Sequence, residues 1–171
     1  MIEPPIQEPC ELCEGLAGRD PAWAVVEESA KVLTVINPYQ FETGQCCVIT
    51  RRHVGTLLEL TQDEGSAVFA AAQRLAHALL ALYQPLGILT YQNNGVYSGQ
   101  EVPHFHFHVV PRQPGSDWGI GPPQLATFEH AGRAPGTEHD SSKDAERRAR
   151  QPTSADILQR TAAKIRANLP G

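Results

Sequence analysis

Between positions 104 and 110 the chain reads His-Phe-His-Phe-His-Val-Val, a strict alternation of imidazole and apolar side chains. A period of two belongs to a β-strand, in which successive side chains point to opposite faces. His104, His106 and His108 then line one face, while Phe105, Phe107 and Val109 enter a core behind them. Three imidazoles in a row contribute little to packing. The segment is read in three ways: a half-exposed strand that happens to carry histidines, an H-x-H pair holding a catalytic metal, or a nucleophilic imidazole whose neighbours act as ligand, hydrogen-bond partner or proton donor.

The rest of the chain supplies a sheet for that strand. Residues 24–28 and 31–37 are β-prone runs joined by Ser29-Ala30, which suggests a hairpin, and Asn37-Pro38 breaks the second run. A third strand is expected over 45–51, after Gly44. Thr61-Gln62-Asp63-Glu64 fits a capping box, and Val68, Phe69, Ala72, Leu75, Ala76, Leu79 and Leu80 recur at helical spacing to about Tyr83. Pro85 and Gly87 end that helix. Residues 87–93 read as a fourth strand and 104–110 as the fifth, with a Gly- and Asn-containing loop, 94–103, suited to close approach by a ligand. Strands and helices that do not alternate predict an α+β fold. It comprises a five-stranded, mainly antiparallel sheet, one long helix and a C-terminal helix over 154–169, with Ile157, Leu158, Ala162, Ile165 and Leu169 on one face.

With 171 residues, the chain has room for one domain, expected over 1–115, and an extension, 116–171. Residues 132–153 are charged and almost without apolar side chains, and read as disordered or a surface excursion. Fourteen basic against nineteen acidic residues give a net charge of −5, which argues against non-specific binding to nucleic-acid backbone. No apolar run is read as a membrane span and no signal pattern opens the chain, so a cytoplasmic protein that does not cross a bilayer is expected.

The four cysteines fall in two pairs. Cys46 and Cys47 are adjacent on a strand, point to opposite sides and read as small buried apolar residues. Cys10-x-x-Cys13, in an irregular arm spanning 1–21, reads as a metal site, a redox pair, a disulfide or free thiols.

The triad, its lead-in Ser98-Gly99-Gln100-Glu101-Val102-Pro103 and the following Pro111-Arg112 resemble the histidine triad superfamily of nucleotidyl hydrolases and transferases. Asn37, Gly44 and Arg51-Arg52-His53 add to the likeness, which covers about residues 10–115. The resemblance implies that His106 is the nucleophile, attacking the α-phosphorus of a purine nucleotide to form a nucleotidyl-histidine that water opens. It implies that His108 contacts phosphoryl or leaving-group oxygens. Asn93 and Gln100 would supply amide donors to the phosphate, and Asn37 would bind the ribose. It also implies a structural zinc held by Cys10, Cys13, His53 and His104, and a homodimer formed through the long helix and a strand. Two positions depart from the family: Gln45 stands where many members have His, and Glu101 where others have Ser or Thr. Asn37 leans towards the branch that cleaves dinucleoside polyphosphates, the cysteine pair towards bacterial members that favour phosphoramidates. Two other outcomes stay open: a dinucleoside polyphosphate phosphorylase, and a nucleotide-binding regulatory module without turnover.

Overall fold

The expected catalytic strand forms, but it begins two residues later than its alternation implies. The computed structural model describes residues 2–18, 20, 23–40, 42–114 and 152–170. Its strands are β1 (Val25–Glu28), β2 (Val32–Ile36), β3 (Cys46–Thr50), β4 (Gly87–Tyr91) and β5 (His106–Arg112), and its helices are α1 (Glu11–Leu16), α2 (Gln62–Tyr83) and α3 (Ala155–Arg166). The five strands make one sheet in the order β1-β2-β3-β5-β4, with every neighbouring pair antiparallel. This is the α+β architecture expected. Residues 115–151 lie outside the described residues, and with them most of the expectation for 132–153.

One face of the sheet buries the main core. Val32, Cys46, Val48 and Val109 meet Val68, Ala71, Ala72, Leu75, Ala78 and Leu79 of α2. The helix uses a slightly different stripe from the one read in the sequence. Phe69 and Leu80 are 64% and 51% exposed, while Ala71 and Ala78 take buried positions. By length and composition α2 also matches a membrane-spanning helix, contrary to the expectation that no run does; its buried stripe packs on the sheet. Helix α3 shares this core through Leu158, Ala162 and Ile165, whereas Ile157 faces outwards. Adjacent residues on a helix are about 100° apart, so Ile157 and Leu158 cannot both centre one face.

Helix α2 starts as the capping box predicts. Thr61 Oγ1 accepts from the Glu64 N–H at 3.2 Å, and Glu64 accepts from the Thr61 N–H at 2.9 Å. Glu64 is buried, and Arg52 donates to both its carboxylate oxygens at 2.9 and 2.7 Å. The Arg52 hydrogen bond and the helix-start N–H hold the Glu64 carboxyl down at about 2. A carboxylate whose pKa is lowered by folding stabilises above its ordinary value, and the contribution fades as pH falls from about 4.5 towards 2. Glu64→Gln is therefore expected to lose about 1 kcal/mol at pH 7, on the scale of one cap, because the half-exposed Arg52 adds little through screened attraction. Urea unfolding at pH 7 and pH 3 checks this; a gap between variant and wild type that does not narrow at pH 3 contradicts it.

The arm before residue 21 is not wholly irregular. Cys10 caps α1, a helix of six residues, and the Trp23 ring lies so close over Gly15 that any side chain there would overlap it. Upstream, the Val96 N–H donates to Glu3 O at 2.9 Å. Gly95, at φ +87°, leaves room for Ile2 that a Cβ would fill. The arm thus runs from the 94–103 loop to the cysteine pair.

Candidate active site

Strand pairing assembles the histidine face. On β5, His106 lies opposite Ile49 and His108 opposite Cys47 of β3, while Tyr91 of β4 pairs with His108 from the other side. Beside them on this face, Leu33, Val35, Cys47 and Ile49 form a second apolar cluster covered by Leu12, Leu16, Trp23 and Val25. The histidines therefore border a second, buried apolar cluster.

His104 lies just before the strand and is fully buried. Its Nε2 donates to Thr50 O at 2.8 Å, so Nδ1 carries the lone pair. That Nδ1 lies 3.7 Å from Cys10 Sγ and 3.5 Å from Cys13 Sγ, and Cys13 Sγ lies 3.2 Å from His53 Nδ1. The four ligand atoms are all within 4.8 Å of one another. Bonds of about 2.0–2.3 Å at tetrahedral angles place neighbouring donors about 3.3–3.8 Å apart, so the set has the size of a four-coordinate metal centre. Burial pushes the His104 pKa down to about 4, which keeps the ring in the neutral form that a ligand needs. The carbonyl of Thr50 orients it, as outer-shell acceptors orient metal-binding imidazoles. Thr50 carries no sequence signal for this role.

His106, next along the face, has its Nδ1 2.7 Å from His104 O. A carbonyl can only accept, so Nδ1 is the protonated nitrogen and Nε2 is bare. Burial lowers the His106 pKa; the bond to the His104 carbonyl and the Glu11 and Glu101 carboxylates oppose that shift without reversing it. Burial and the neighbouring His106 push His108 further down. Both rings are thus neutral near pH 7, and the half-buried His106 keeps its imidazole lone pair on Nε2.

The remaining residues expected at the site divide. Asn37 ends β2, its N–H donating to Gln45 O at 2.9 Å and its Oδ1 accepting from the Tyr39 N–H at 2.9 Å; it stands at the His108 end of the sheet. Asn93 Nδ2 donates to Gly99 O at 3.0 Å. Gln100 is buried, and its amide is committed to the backbone. Nε2 donates to Gly55 O at 2.7 Å and Val102 O at 2.9 Å, and Oε1 accepts from the Gly95 N–H at 2.6 Å. Both amide hydrogens meet backbone carbonyls, so Gln100 shapes the loop. Gln45, Cys47 and Tyr91 join the site without being among the site residues expected from the sequence: all three touch His108. The period-two register of 45 and 47 was the signal that could have found the first two.

Residues 23–115 match the HIT domain family, and the chain belongs to that family. It is 34% identical over 105 residues to "Protein hit" of Bacillus subtilis, covering 61% of this chain and 72% of that one. Two relatives bear the names of enzymes. Adenosine 5'-monophosphoramidase of Schizosaccharomyces pombe is 26% identical over 66% of this chain and 80% of its own. AP-4-A phosphorylase of Mycobacterium tuberculosis is 32% identical over 52% and 46%. Among solved structures, a HIT-like protein of Bartonella henselae superposes with a TM-score of 0.71, covering 96% of this chain and 98% of that one at 24% identity.

Proposed function

We propose that the protein is a nucleotidyl hydrolase that cleaves purine nucleotide derivatives, dinucleoside polyphosphates or nucleoside phosphoramidates, at the α-phosphate. The observation that carries this reading is the 2.7 Å contact from His106 Nδ1 to the His104 carbonyl, which bares Nε2. That lone pair attacks the α-phosphorus, and the bond to the leaving group breaks with its electron pair as the N–P bond forms. Water then attacks the same phosphorus, the N–P bond breaks and the nucleoside monophosphate leaves. His108 contacts the phosphoryl or leaving-group oxygens, Asn37 the ribose and Asn93 the phosphate, while Gln100 holds the loop that closes around them.

Cys10, Cys13, His53 and His104 hold a structural zinc in this reading. Four protein donors leave no open position, so the metal supplies a cross-link between the arm and the residue beside His106 and takes no part in the displacement. The reduced thiols that such a site needs suit the cytoplasm.

The test is product analysis by mass spectrometry with adenosine phosphoramidate and diadenosine polyphosphates, each with and without phosphate, for wild type and His106→Ala. AMP from wild type only is the expected result. ADP that appears only with phosphate replaces hydrolysis by phosphorolysis, the reading favoured by the phosphorylase relative. Nucleotide binding without turnover leaves a regulatory module.

We further propose that two chains pair through β4 and α2. Strand β4 is an outer strand of the sheet, and Leu80 and Leu86 are 51% and 82% exposed near it. The opposite edge, β1, is covered by Arg166, which donates to the carbonyls of Val25 and Val26. Light scattering is expected to give twice the 18.6 kDa chain mass, falling to a single chain in Leu80→Glu; a wild-type monomer overturns the pairing. No nucleic-acid or membrane partner belongs to this reading.

A further inference from the structure

The geometry points to Gln45 and Cys47 as positioning residues that fix the tautomer of His108, placing its proton on Nε2, opposite to the arrangement in His106. The inference rests on the proposed role of His108 at the phosphate only for its consequence in turnover; the tautomer itself is a property of the free protein. His108 Nδ1 lies 3.3 Å from Gln45 Nε2 and 3.2 Å from Cys47 Sγ. A side-chain amide nitrogen donates and cannot accept. Gln45 Nε2 also lies 3.4 Å from the Tyr91 hydroxyl oxygen, so its two hydrogens meet two acceptors, the imidazole nitrogen and the phenol. Gln45 is 1% exposed, and a buried amide left without acceptors would be costly.

Cys47 acts in the same direction. Burial pushes its thiol up to about 12, so the sulfur keeps its proton and can donate weakly to the nitrogen once Gln45 has set the direction. Tyr91 stacks on the His108 ring at 4.2 Å between centroids and 13° between planes, which stops the ring from turning away from these donors. His108 therefore receives hydrogen bonds at Nδ1, leaving Nε2–H as its only donor.

His106 is constrained in the reverse sense by the acceptor at its Nδ1. The two rings meet edge to face, 5.0 Å between centroids and 80° between planes. One ring offers a bare Nε2 to phosphorus and the other an Nε2–H to an oxygen of the same group. Donor and nucleophile are thus set by neighbours before substrate arrives, the preorganisation that favours charge development on phosphoryl oxygens. A Gln can do this where a His would itself need a defined tautomer, which gives the departure at position 45 a physical role.

The experiment is a long-range proton–nitrogen correlation spectrum of the imidazoles in the full-length protein as purified, at pH 8, for wild type, Gln45→Glu, Gln45→Met and Cys47→Ala. Wild type is expected to show His106 as Nδ1–H and His108 as Nε2–H. Gln45→Glu exchanges a donor for an acceptor of the same shape, and the dominant His108 form is expected to switch to Nδ1–H. Turnover should then fall about 10²-fold, the usual weight of one positioned proton donor, with far less change in nucleotide affinity. Gln45→Met, which introduces no charge, should leave both forms visible, and Cys47→Ala should shift the balance less. A wild-type His108 carrying its proton on Nδ1 overturns the inference, as does an Nε2–H form unchanged in both Gln45 variants. The expected tautomers in a protein that turns over no nucleotide would uphold the inference and end the nucleotidyl-transfer reading.

Discussion

His106→Ala is expected to release no detectable AMP from any substrate that wild type cleaves, with kcat reduced by about 10⁴-fold or more. That loss corresponds to about 5.4 kcal/mol of transition-state stabilisation. The size follows from what is removed: the side chain supplies the atom that bonds to phosphorus, and no neighbour can substitute. His104 Nε2 is held by Thr50 O and its Nδ1 faces the two sulfurs, while His108 has its Nδ1 filled by Gln45 and Cys47. Binding should survive, because Asn37, proposed to meet the ribose, is held by the Gln45 carbonyl and the Tyr39 N–H and makes no bond to the His106 ring. Equilibrium binding of AMP to both proteins, beside single-turnover assays, separates the two effects. A variant that keeps wild-type rates ends the covalent mechanism; one that loses binding and turnover together assigns His106 to the fold instead.

Metal removal has the second large effect. Metal analysis of the purified protein is expected to give one zinc per chain, and Cys13→Ser or prolonged chelation should lower the melting temperature by about 8–16 °C. Binding to the folded state at about a thousand times the dissociation constant contributes about 4 kcal/mol, and each kcal/mol moves the midpoint of a chain this size by about 2–4 °C. Cys13 touches both His53 and His104, so its loss removes two contacts of the cluster at once. Activity should decline with the loosening of the arm, measured by Trp23 fluorescence over Gly15, and not at the instant of chelation. Instant loss of activity with an unchanged melting temperature would make the metal catalytic. A protein that contains no zinc and is indifferent to chelators would end the metal reading.

Much of this fold was legible because its signals are local. The period of two in His104–Val110, the Thr61–Glu64 box and the Asn37-Pro38 break each depend on residues a few positions apart, and each gave an element close to its place. The errors have a common origin. Phe69, Leu80 and Ile157 are apolar and helical, and nothing within a few residues says that a neighbour one position away faces the core instead. The arm was read as irregular because a six-residue helix gains little on its own, and what steadies α1 is Trp23 over Gly15 and the apolar cluster around Leu12 and Leu16. Helix α3 falls in the extension expected from the sequence, yet Leu158, Ala162 and Ile165 complete the main core, so truncation after residue 115 would open that core.

The sequence by itself determined that the imidazoles alternate with apolar residues along a β-strand segment, and through its resemblance it proposes which of them reacts. Chemistry confined to consecutive residues is readable because alternation converts directly into direction. Only the tertiary structure decided what each imidazole is, since a ring's proton is placed by whatever stands opposite its other nitrogen. Those partners come from distant segments: Thr50 for His104, the His104 carbonyl turned inward for His106, and Gln45, Cys47 and Tyr91 for His108. The same holds for the proposed metal site, whose four candidate ligands span positions 10 to 104 and meet within 4.8 Å only because β3 and β5 pair and the arm folds back across their ends.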